Sequence, residues 1–164
     1  MFAVLVGALF APLAGAGWLE DTTVLHRAAW NGDMPTVIAE LEQGVDPNIQ
    51  DEWQRTPLHL ACYKGRISTT PVGERVRGKS DPGLRYTAEM VAYMIDKGAD
   101  VNVVDRDGST PLMEAIPNGH TEIVALLLKH GAKKDVKNRH GDTPLGYAEH
   151  RKHKDIQKLL KDEL

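Results

Sequence analysis

Thr56-Pro57-Leu58-His59-Leu60-Ala61 decides the fold, because weaker copies of it return at a fixed interval. Thr23-Val24-Leu25-His26-Arg27-Ala28 stands 33 residues before it, and Thr110-Pro111-Leu112-Met113-Glu114-Ala115 stands 54 after it. Thr143-Pro144-Leu145-Gly146-Tyr147-Ala148 follows a further 33 on. The interval of 54 is 33 lengthened by 21, so one period runs through the chain if the second copy carries an insertion over residues 67–87. A constant period of this size is the mark of a stacked repeat array.

Around each copy the local signals agree. Thr22 and Thr23 are candidate N-caps for a first helix with Leu25, Ala28 and Ala29 on one face, ended by Gly32. Asp33-Met34-Pro35 opens a second helix with proline in the first turn, where its missing N–H costs no bond, and Gln43-Gly44 closes it. The same plan gives helices over 58–64 and from Ala88 to Lys97, then over 112–118 and 121–130, and finally over 145–150 and from 154 onward. Asp105-Arg106-Asp107-Gly108 is a tight turn with glycine where positive φ is wanted, whereas Gln54 occupies that place before the second copy. Each unit is a turn followed by two antiparallel helices that cannot bury an apolar stripe alone, and four units suffice for a stable stack.

Composition narrows the function. Of the 164 residues 41% are hydrophobic and 26% charged, which suits one ordinary globular domain. A net charge of −3 gives no basic face for nucleic acid. Cys62 is the single cysteine, so neither an intramolecular disulfide nor a cysteine-based metal site can form. No nucleophile–base–orienter set, glycine-rich phosphate loop or metal-ligand spacing stands out, and neither enzyme activity nor a cofactor is expected.

The two ends carry address-like signals. Residues 1–19 hold no charged side chain, and the apolar run from Phe2 to Leu13 followed by Ala14-Gly15-Ala16 fits a signal peptide over 1–16, cleaved before Gly17. The n-region lacks Lys and Arg, which leaves an uncleaved anchor or a spurious start as alternatives. Lys161-Asp162-Glu163-Leu164 fits an ER-retrieval tail behind such a leader, although Ile156, Leu159, Leu160 and Leu164 also follow helical spacing. The expected location is the secretory pathway, with the ER lumen foremost. The alternatives are a bacterial periplasm or secretion, or the cytoplasm if the leader is spurious.

With these motifs in place the chain resembles ankyrin repeat proteins. The family's Thr-Pro-Leu-His-x-Ala-x-x-x-Gly stands whole from Thr56 to Gly65 and nearly whole from Thr23 to Gly32 and from Thr110 to Gly119. Gly98-Ala99-Asp100-Val101-Asn102 and Gly119-His120-Thr121-Glu122-Ile123-Val124 match as well. The resemblance covers residues 20–164 and implies an all-α solenoid of four repeats, at about 23–55, 56–109, 110–142 and 143–164, with β-hairpin-like connecting turns. It also implies that His26 and His59 clasp their turns by hydrogen bonds and are no metal or catalytic pair. The implied function is protein–protein recognition on a rigid concave surface, by a monomer without membrane contact once the leader is cleaved. A protective or accessory factor that stabilises a partner enzyme is the alternative.

In that family partners are gripped by hairpin tips and by exposed positions of each first helix. Carried over, the helix positions are Trp30 and Asn31, Tyr63 and Lys64, Pro117 and Asn118, and His150 and Arg151. The tip positions are Glu52, Trp53 and Arg55, then Arg106, Asp107 and Ser109, then Arg139, His140 and Asp142. Trp30, Trp53 and Tyr63 belong to adjoining repeats and are expected to share one patch. The competing expectation is that Trp30 caps the first repeat while Trp53 packs on the altered turn. The insertion bears Arg75, Arg77, Lys79 and Arg85 against Glu74 and Asp81, and is read as a tolerated surface loop before a basic docking loop.

Overall fold

The computed structural model describes residues 23–64 and 82–161, with Lys64 and residues 82–86 described by backbone alone. The leader, most of the insertion and the last three residues lie outside that range, and so do the cleavage and retrieval signals.

Threonine and proline set the helix starts. The Thr23, Thr110 and Thr143 hydroxyls accept the backbone N–H three residues on, from His26, Met113 and Gly146, which satisfies one of the free donors of each first turn. Proline is the first residue of four helices in the chain, where φ near −65° is already helical. The result is eight helices among the described residues: α1 Val24–Asn31, α2 Met34–Glu42, α3 Pro57–Lys64, α4 Pro82–Asp96, α5 Pro111–Ala115, α6 Thr121–Lys129, α7 Pro144–His150 and α8 Lys154–Lys161.

They pack as two layers. α1, α3, α5 and α7 stack side by side in one, α2, α4, α6 and α8 in the other, and each repeat pairs one helix from each. Leu25, Leu58 and Leu112, the leucines of the motif, are wholly buried between the layers with Ala61, Ala115 and Ala148. At roughly 2 kcal/mol for each fully buried leucine, these contacts tie a repeat to its neighbours as much as to itself. The fold is the expected all-α solenoid, with no strand among the described residues.

Two helix bounds differ from the sequence expectation. α4 begins at Pro82, six residues before Ala88, so residues 82–87 of the expected insertion are helical and Thr87 is buried. Proline starts this helix as it starts α3, α5 and α7, and apolar spacing alone misses such a start. α5 ends at Ala115, short of Asn118, because Pro117 has no N–H to donate back into the helix.

The turns between repeats are built alike. Asp51 N–H donates to Arg55 O at 3.0 Å, Asp105 N–H to Ser109 O at 2.9 Å and Asn138 N–H to Asp142 O at 3.1 Å. In each, the first residue's side-chain oxygen accepts two backbone N–H groups of its own turn. Neighbouring turns are joined by Arg106 N–H to Trp53 O at 2.9 Å and Arg139 N–H to Asp107 O at 2.8 Å. A second ladder runs along the other connections, where the Asn48 and Asn102 side chains each bridge to the next repeat's backbone. Backbone groups that would otherwise need water are satisfied from repeat to repeat, which fixes the tips rigidly.

Candidate functional site

His59 shows how the motif positions the surface. Its Nδ1 accepts from Thr56 N–H at 3.1 Å, so the ring proton sits on Nε2, which donates to Ser109 O at 3.2 Å in the next turn. His26 does the same one repeat earlier, accepting from the Thr23 hydroxyl at 2.8 Å and donating to Arg55 O at 2.8 Å. Burial lowers the pKa of both rings, partly opposed by those backbone hydrogen bonds, and so favours their neutral forms. The expected clasp within a turn is thus also a clasp between repeats. It corrects the expectation for Ser109, which is buried beneath this contact and offers no surface to a partner.

Above the clasps the turns and inner helices enclose a groove of about 300 Å³. Trp30 from α1, Tyr63 from α3 and Trp53 from the first tip line it, over a floor that includes His59 and Leu60. The Trp30 and Tyr63 rings, at the same motif position in successive repeats, stack with centroids 5.6 Å apart and planes 13° apart. Trp30 is half-buried, whereas Trp53 is 44% and Tyr63 49% exposed. These three residues do form one patch, and neither tryptophan is buried as a simple cap.

Charges complete the walls. Arg55 reaches Asp51 through Nε and Nη2 at 2.9 and 2.7 Å, and Arg106 lies over the Trp53 ring, 5.6 Å from its centroid. Asp105, Asp107 and Glu114 also face the groove. Burial, reinforced by Asp105 and Asp107, raises the Glu114 carboxyl to about 7 against the pull of Arg55. Asp105 and Glu114 are absent from the positions carried over from the family, and they are the two that change the groove's character. Glu114 holds the variable place in Thr-Pro-Leu-His-x-Ala, the place of Leu60 in the motif's best copy, and that register was the signal available.

The remaining predicted positions lie elsewhere. Asn31, Glu52, Arg139 and His140 are exposed but do not line the groove. Asn118 stands just outside it, its side-chain amide donating to Tyr63 O at 2.7 Å. Lys64 ends α3 and the placement of its side chain is outside the described residues. Among the described residues no group of three or more His, Cys, Asp or Glu could hold a metal ion, and no helix is long and apolar enough to cross a membrane.

Comparison with known proteins gives one family. The pattern described as ankyrin repeats (3 copies) matches residues 84–163, and that described as ankyrin repeats (many copies) matches residues 37–71. Zebrafish (Danio rerio) ankyrin repeat domain-containing protein 46 is 31% identical over 109 residues, covering 61% of this chain and 48% of that protein. Human SMC5-SMC6 complex localization factor protein 1 is 34% identical over 106 residues, covering 63% of this chain and 8% of that protein. The transient receptor potential cation channel subfamily A member 1 of Drosophila melanogaster is 28% identical over 113 residues, 58% of this chain and 9% of the channel. The chain spans less than half the length of these relatives.

Proposed function

We propose that this chain, which belongs to the ankyrin repeat proteins, is a non-enzymatic interaction module that grips a partner protein in the groove between its first two hairpin tips and the inner helices. One observation carries this: Trp30, Trp53 and Tyr63, drawn from separate elements, line one groove in which two of them keep nearly half their surface open. Large rigid aromatics with a polar edge dominate interface hot spots, and leaving them exposed is unfavourable unless something covers them. Both tips are held by backbone hydrogen bonds before any partner arrives, so little conformational freedom is lost on binding.

The test is a random peptide library displayed on phage, selected on the intact protein and counter-selected on the Trp53→Ala/Tyr63→Ala variant. The expected result is a set of peptides that bind the wild type and lose about tenfold or more on the variant. Peptides indifferent to the substitution would place recognition on another face and overturn the proposal.

A further inference from the structure

The groove's walls are aromatic, but its charge is lopsided. Arg55 is committed to Asp51 through two nitrogens, and Arg106 is spread on the Trp53 ring. Against these stand Asp105, Asp107 and Glu114, with Asp51 behind Arg55. Asp105 spends one oxygen on the N–H groups of Asp107 and Ser109. Among the described residues the Glu114 carboxylate has no hydrogen-bond donor and no ion pair, although it is partly buried on the inner helix α5 beside two other carboxylates. A carboxylate so placed is costly until a cation reaches it.

We propose that the groove receives one basic side chain, a lysine or arginine of a partner protein's extended segment, with its cationic head at Glu114 and its stem along the aromatic walls. This rests on the interaction-module reading and names the chemistry of the partner. A space of about 300 Å³ admits a long side chain and excludes a helix. Apolar stems lie well on aromatic faces while their cationic heads seek an anion, and Arg106 over Trp53 already displays that geometry within the chain. An anionic ligand would meet three carboxylates and two occupied guanidiniums, and a metal ion would find Asp105 already engaged by backbone N–H groups.

The charged and titratable groups around Glu114 come from each element about it: Arg55 from the first tip, Asp105, Arg106 and Asp107 from the second, His59 and Cys62 from α3, and Tyr147 from α7. Burial disfavours the charged form of His59, and Glu114, raised to about 7, changes charge between pH 6 and 8. A carboxyl titrating at about 7 is roughly one-tenth ionised at pH 6 and nine-tenths at pH 8, so affinity for the cation should rise about tenfold across that range.

The experiment takes one groove-dependent peptide from the display selection and synthesises it with each Lys replaced by norleucine or each Arg by citrulline. Binding to wild type and to Glu114→Gln is measured by fluorescence polarisation at pH 6 and 8, with circular dichroism confirming that the variant folds. One neutral replacement is expected to weaken binding about tenfold on wild type and less than about twofold on Glu114→Gln, with the pH dependence gone from the variant. Groove-dependent peptides that carry no basic residue, or losses that add independently in the two backgrounds, would overturn this inference and leave the interaction module standing. Absence of any groove-dependent peptide would overturn the module itself.

Discussion

Gln54 stands at φ 59°, where Gly108 and Gly141, in the same place of the next two turns, stand at 78° and 83°. The turn has kept its shape and forced a side chain into the left-handed region, which costs an L-residue about 1–2 kcal/mol. Gln54→Gly should therefore raise unfolding stability by up to about 1 kcal/mol, after the extra freedom glycine gives the unfolded chain, and urea titration would show it. Glu114 and the buried histidines pull the pH profile in opposite directions. His26 and His59 have pKa values below the ordinary 6.5, so the unfolded chain takes up protons first and stability falls as pH drops below about 6.5. Glu114 titrates at about 7 instead of 4.5, so the folded chain holds its proton longer and stability falls as pH rises from 4.5 to 7. Glu114→Gln removes the second slope. The variant should gain on the order of 1 kcal/mol at pH 8 and show a steeper rise between pH 5 and 7 than wild type. A profile parallel to wild type would show that Glu114 is not the group responsible.

At the scale of elements, what matters is where a clasp's hydrogen bonds go. His59 leaves α3 to hold the carbonyl of Ser109, fifty residues on, and His26 leaves α1 to hold Arg55. His59→Leu keeps an apolar volume but removes one of the two donors to the Ser109 carbonyl and leaves the buried Thr56 N–H and hydroxyl without their ring partner, and should cost about 2–3 kcal/mol. The same variant should speed amide exchange in the Asp105–Ser109 turn ahead of α5, because it loosens the tip before the helix. The threonine caps, first-turn prolines and apolar spacing that place these helices lie within a few residues of one another, so they were legible in the chain. The start of α4 at Pro82 was not, since no apolar stripe marks its first turn.

For the molecule as a whole, stability is shared across a stack of short helices that do not stand alone. Leu58 is wholly buried among α1, α3 and α5, so Leu58→Ala should cost about 3 kcal/mol and lower the transition of all four repeats together. Cys62 in the same helix is fully buried, and burial, with the charge of Glu114 beside it, pushes its thiol well above the ordinary cysteine range. It should react with a thiol reagent such as Ellman's only as fast as the array opens, and the Leu58→Ala variant should label correspondingly faster. Rapid labelling of the folded wild type would show that α3 opens locally, without the rest of the stack.

The chain alone determined the period, the number of repeats and the pairing of helices within each. Those follow from caps, prolines, glycines and apolar spacing, all of which act over one or two turns of backbone. It also marked Trp30, Trp53 and Tyr63 as neighbours, because a constant period puts equivalent positions side by side. Only the tertiary structure decided that Ser109 is buried and that Arg139 and His140 lie away from the groove. It alone joined Asp105 and Glu114 to the aromatics. Residues from Trp30 to Glu114 meet only when three repeats stack past a long insertion, and the charge balance of their meeting place depends on distances that no local pattern encodes.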